Sequence, residues 1–212
     1  MTAATLPATP LASRAWGTRV TLTIAGLAAL IFIALVAAPY YAWNEARFGV
    51  YWPRRLPLIL HISGGIVAIL SGPVQLWLGL TDRRMDIHRR LGLIYLAGVS
   101  VGSLAGLYMA FTTTYGFLFG AGLAGLAVAW ILTTGLAFTA IKRAQYDQHK
   151  DWMIRSYVVT FAFVFFRVMD PFLVSLRIGP SDAAVFSAWA CWAVPLLLTE
   201  AVLQGRRIFG VA

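Results

Sequence analysis

Six long apolar runs, separated by short charged or aromatic segments, dominate this chain. They fall at about residues 20–41, 58–80, 91–111, 117–141, 152–173 and 183–203. Each is close to the ~20 residues a helix needs to cross a bilayer. A spanning barrel would instead show short alternating segments, so strands are excluded. The pattern predicts an all-α polytopic membrane protein, a bundle of six transmembrane helices over 20–205. Flanking it are an N-terminal tail, 1–19, and a C-terminal tail, 206–212. Residues 1–13, rich in Ala, Thr and Pro, carry no charged side chain and read as disordered. The first run lacks a small-residue cleavage site at its end and reads as a signal anchor.

Helical periodicity sorts the residues within these runs. In the third, His88, Gly92, Tyr95, Val99, Gly102 and Gly106 share one face. Gly98, Gly102 and Gly106 form two small-xxx-small steps, which let a neighbouring backbone approach closely, in this chain or in a second copy. In the second, His61, Gly65, Ala68, Gly72 and Gln75 share a face, and Pro73 is expected to bend the helix. In the fifth, read as one continuous helix, His149, Met153, Ser156, Thr160 and Arg167 line up, with His149 and Arg167 roughly 27 Å apart.

Composition supports the membrane reading: 60% of the 212 residues are hydrophobic and 12% charged. A net charge of +9 is compatible with a nucleic-acid partner, but the basic residues cluster at the ends of apolar runs, where topology explains them. Arg14, Arg19, Arg83, Arg84, Arg89, Arg90, Lys142, Arg143, Lys150, Arg155, Arg206 and Arg207 all fall on one side. The positive-inside rule makes that side, with both termini and the two charged turns, cytoplasmic. The single cysteine, Cys191, rules out an internal disulfide and a multi-cysteine metal site.

Polar residues inside or beside membrane spans are functional candidates, because each is costly to leave there without a role. On the cytoplasmic side these are Gln75, Arg84, His88, Arg89, Tyr95, His149, Arg155 and Tyr157; on the outer side, His61, Arg167 and Asp170. Each also has a plainer reading. The charged turns can be solvated loops that fix topology. Gln75 and Tyr95 can bond each other, and Arg167 with Asp170, one turn apart, can form an ion pair.

The segments HRRLGLIY (88–95), HKDWMIRSY (149–157) and LHISGGIVAILSGPVQL (60–76) resemble a family of bacterial polytopic membrane proteins, domain of unknown function 2306. The likeness covers about residues 58–167, with three separated motifs in order. It implies a polytopic membrane protein with His61, Gln75, Arg84, His88, Arg89, Gly92, Tyr95, His149, Arg155 and Tyr157 at motif positions, and no reaction. The six-helix plan is also loosely similar to b561-type cytochromes. With three histidines, none of them on the fourth helix, two complete bis-histidine haem sites are impossible here.

Three readings of function remain open. In one, a cytoplasmic-side basic site binds an anionic or lipid-soluble ligand, a lipid headgroup or a quinone, through Arg84, Arg89, Arg155 and Tyr157. In another, His88 and His149 are the axial ligands of a haem b for electron transfer, with arginines meeting its propionates. In the third, the chain is a structural or assembly partner with membrane lipids as its only small-molecule contacts. No nucleophile–base pair is visible, and three histidines at two depths make a poor zinc site.

Overall fold

The structure, a computed structural model, describes residues 11–210. Most of the tail expected over 1–13 lies outside the described residues, and helix α1 (Leu11–Phe32) begins at Leu11. This first span widens into a π turn over Ile33–Ala37 and tightens into a 3-10 turn over Ala38–Ala42. Pro39 accounts for the change, since it has no N–H to donate and its ring crowds the carbonyl four residues earlier.

The segment between the first two spans is folded. Asn44 caps the short helix α2 (Glu45–Phe48) by accepting from Ala46 N at 2.9 Å, and a 3-10 stretch, Gly49–Arg54, follows. Phe48 is buried at the centre of an aromatic cluster with Tyr40, Trp43 and Trp52. Arg55 lies over the Trp52 ring at 4.7 Å. Aromatics of this kind suit the membrane interface, where a polar edge and an apolar face are both served.

Helix α3 (Arg55–Thr81) and helix α4 (Met85–Phe111) form a tight hairpin, with Asp82 and Arg84 in left-handed backbone at its turn. Glycine makes the close approach possible. A Cβ on Gly64 would stand 2.5 Å from both Gly102 N and Gly98 O, where only a hydrogen fits. A Cβ on Gly106 would meet His61, and one on Gly92 would meet Gln75. The glycine face read from the sequence is therefore occupied within the chain, against α3. Pro73 sits inside a continuous α3.

A second hairpin joins helix α5 (Phe117–Lys142) to helix α6 (Tyr146–Thr160). Helix α7 (Ala162–Ser175) follows after a bend of 40°, and helix α8 (Pro180–Phe209) closes the bundle. The tip of Trp192 fills the space left by Gly125 on α5, and Trp189 that left by Gly122. Among the described residues, five helical stretches are long and apolar enough to cross a membrane, and the bent α6–α7 pair supplies a sixth. Leu104, Phe111, Leu132 and Leu197 are exposed on the bundle surface, as lipid-facing side chains are.

The fifth span departs from the continuous helix expected over 152–173. Thr160 Oγ1 donates to Ser156 O at 2.9 Å, competing for a carbonyl that the helix would use, and the chain tightens at Phe161. Hydroxyl back-bonding of this kind bends helices. The break ends the single polar face that a straight helix would have carried from His149 to Arg167.

Candidate functional site

Polar side chains gather at three levels of the bundle. At the end formed by the two charged turns, His88 and His149 are each the fourth residue of their helix, α4 and α6. Each ring is tied by Nδ1 to a backbone carbonyl of the preceding helix: His88 to Gln75 O at 3.2 Å, His149 to Ala137 O at 2.9 Å. A carbonyl only accepts, so each Nδ1 carries a proton, and the nitrogen left to offer a lone pair is Nε2. The ring centres are 6.3 Å apart and the planes nearly perpendicular, at 86°. Gly79 leaves room for this placement, since a Cβ there would lie 3.0 Å from His88 Cε1. The two hairpins thus repeat one device, a histidine returning to a carbonyl 13 or 12 residues upstream. The sequence carries its trace in a histidine followed by tyrosine seven residues on in HRRLGLIY and eight residues on in HKDWMIRSY.

The basic residues expected beside this pair are dispersed. Arg155, six residues after His149, is turned about 240° around the helix axis and faces α8. Its guanidinium is buried, donates from Nε to Glu200 Oε2 at 2.8 Å, and lies 4.6 Å over the Trp152 ring. Gln204 donates to the other oxygen of Glu200, and Arg207 pairs with Asp151. Arg84 and Arg89 are exposed at the rim, and the Arg84–Asp86 contact of 3.7 Å is solvated on both sides.

Midway through the bundle lies a buried hydroxyl network. Tyr95 OH is 2.7 Å from Ser156 Oγ and 2.9 Å from Thr160 Oγ1, Thr134 Oγ1 is 2.6 Å from Ser156 Oγ, and Trp130 Nε1 donates to Thr160 Oγ1 at 2.9 Å. Tyr95 is thus committed here and makes no bond to Gln75, whose Oε1 is buried without a partner. Thr134 and Trp130 were not legible as site residues, because α5 is apolar almost throughout. Tyr157 reaches across to α3 and donates to Ile69 O at 3.2 Å.

Towards the opposite end, the helices enclose a cavity of about 380 Å³, lined by His61, Tyr51, Trp130, Thr160, Arg167 and Asp170 among mostly apolar neighbours. Thr160 and Arg167, on either side of the bend at Phe161, both line it. His61 Nδ1 is 2.7 Å from Gly102 O, and its ring packs on Phe163 at 5.4 Å. No ion pair joins Arg167 to Asp170 among the described residues, and Asp170 Oδ1 is buried without a partner. The expected pairing is therefore absent, while His61, Arg167 and Asp170 do line one cavity.

A bundle with an apolar exterior, six spans and its polar groups turned inward is a polytopic integral membrane protein. The family model described as "Predicted membrane protein (DUF2306)" matches residues 58–203, and the chain belongs to that family. The matched region takes in α3 through most of α8, and with them all three levels of polar residues. No curated protein and no solved structure matches the chain.

Proposed function

We propose that this protein is a membrane electron-transfer protein in which His88 and His149 hold a haem b between the two hairpins. The relation of the two rings carries the reading. With metal–imidazole bonds of about 2 Å, two imidazoles on opposite sides of one ion have ring centres about 6 Å apart. The 6.3 Å separation fits that arrangement. Tethering Nδ1–H to a carbonyl fixes the tautomer and leaves Nε2 free to bind a metal, as the outer shell of histidine-ligated metals does. No cluster of three His, Cys, Asp or Glu side chains occurs among the described residues, so protein groups alone do not complete a coordination sphere here. A macrocycle with four nitrogens of its own needs only the two that this site offers. Haem would supply a one-electron couple, and the exposed Arg84 and Arg89 at the rim suit its carboxylates.

The alternative of a lipid headgroup or other anion held by Arg84, Arg89, Arg155 and Tyr157 has less support, because Arg155 is bound to Glu200 and Tyr157 to a backbone carbonyl. A purely structural role accounts for the two Nδ1 tethers and leaves only the meeting of the two rings unexplained.

The test is spectroscopic. Protein purified in detergent, as isolated and after addition of haemin, should give a low-spin bis-imidazole spectrum in the reduced-minus-oxidised difference. Its ferric resonance should be of the strongly anisotropic kind that perpendicular imidazole planes produce. His88→Ala and His149→Ala should each abolish the spectrum, and His61→Ala should keep it. A protein that takes up no haemin, or a spectrum that survives both changes, would overturn the reading and leave the rim anion site or a structural role.

A further inference from the structure

We infer that the cavity near the opposite end is a second binding site, for a membrane-soluble molecule with a hydroxylated aromatic head, a quinol. The inference is independent of the haem reading, because it concerns other residues and a different level of the bundle. At about 380 Å³, the cavity is large enough for a small ring system and lies in the usual range for ligand sites. Its walls are largely apolar and aromatic, with Tyr51, Phe119, Phe163 and Trp130 among them, which suits a flat ring.

The hydrogen-bonding inventory sets the chemistry of the head. His61 gives its Nδ1 proton to Gly102 O, so Nε2 keeps a lone pair, and no hydrogen bond engages it among the described residues. Asp170 lines the same cavity, and its carboxyl group makes no ion pair or hydrogen bond among the described residues. Thr160 is already committed to Tyr95, Trp130 and its own helix. The groups without a donor are two acceptors, on His61 and on Asp170, and an acceptor kept from both water and donor is costly. A ligand that answers them must donate. Phenolic hydroxyls on a flat apolar ring do so, whereas the carbonyls of an oxidised quinone could serve only Arg167 or the tyrosines. The broken α6–α7 span is the backbone counterpart, since irregular helix at membrane depth is tolerated where it lines a cavity.

The experiment compares two probes on the unaltered protein in detergent, under anaerobic conditions. Trimethylhydroquinone carries both hydroxyls, and its dimethyl ether has the same ring with no donor. Isothermal titration should show saturable binding of the hydroquinone, with the ether at least about tenfold weaker. Asp170→Leu and His61→Phe, which keep bulk and remove an acceptor, should each weaken hydroquinone binding by about tenfold and leave the ether unchanged. Equal affinity for the two probes, or no saturable binding of either, would overturn the proposal. Hydroquinone binding that neither variant alters would place any site elsewhere and overturn it equally. Loss of the haem spectrum with hydroquinone binding intact would affect only the reading of His88 and His149.

Discussion

Tyr157 donates its hydroxyl to the Ile69 carbonyl, the group on α3 that Pro73 leaves without a helical donor. The tyrosine ring lies where a Cβ on Gly72 would otherwise stand. Gly72 and Pro73 therefore act together, one making space and the other freeing an acceptor, and Tyr157 ties α6 to α3 through both. Tyr157→Phe should leave Ile69 O unpaired and cost about 1–2 kcal/mol. Gly72→Ala should cost more, about 1–3 kcal/mol, because the ring itself must move. Thermal unfolding in detergent checks the order of the two. Equal stability of Gly72→Ala and the unaltered protein would mean that the ring has room to spare.

Contact between α3 and α4 is set by backbone, which cannot yield as a side chain tip can. Gly64→Ala should lower the unfolding temperature by several degrees, and Gly102→Leu by more, since Gly102 meets Gly64 on one side and Trp130 on the other. Leu104→Val, on the exposed face of the same helix, should leave the midpoint nearly unchanged. Gly65→Ala serves as a further control, because no atom lies within 4 Å of its added methyl.

Arg155 is buried and Glu200 half exposed, so the cost of breaking the pair should be asymmetric. Glu200→Ala strands a buried guanidinium and should destabilise by about 1–3 kcal/mol. Arg155→Met leaves a carboxylate that water can reach and should cost less. The double variant should be more stable than the sum of the two single losses implies, which a double-mutant cycle measures. Simple additivity would show that the pair contributes no coupling.

Orientation rests on the basic residues. Reporters fused after Ala212 and within the 82–90 turn should both read as cytoplasmic, and one placed within 43–54 should read as external. A signal outside the cytoplasm from either of the first two would reverse the assignment and put His88 and His149 on the other side of the membrane.

Proximity of the two charged turns can be checked without any cofactor. Cysteines at 88 and 149, with Cys191 replaced, should crosslink efficiently with a short bifunctional reagent, given ring centres 6.3 Å apart. A pair at 84 and 206 provides the comparison, with the 88–149 pair expected to react at least about tenfold faster if its effective concentration reaches the millimolar range of short tethers. Failure of the 88–149 pair to react would separate α4 from α6 and remove the haem reading.

The sequence by itself determined that the chain is an all-helical polytopic membrane protein, realised among the described residues as five long apolar helices and a bent pair as the sixth. A bilayer admits only backbone that satisfies its own hydrogen bonds over about 20 residues, so hydrophobic length alone marks each crossing. It also determined that the glycines of α4 face a neighbouring helix, because their spacing follows the turn of the helix and needs no knowledge of the partner. That His88 and His149 occupy matching places was visible for a related reason: each opens a span after a charged turn.

The tertiary structure decided what each polar group meets. Arg155 looked like a member of the histidine site and belongs instead to Glu200, because a few residues along a helix rotate a side chain towards a different neighbour. The bend at Phe161 has no proline or glycine to announce it. There Thr160 takes up the Ser156 carbonyl while it also meets Tyr95 from α4 and Trp130 from α5. Its balance between side chain and backbone is set by groups 65 and 30 residues away in sequence, so only packing could bring them together. The cavity is likewise a product of packing, because its lining is drawn from segments as far apart as Tyr51, His61, Trp130 and Asp170.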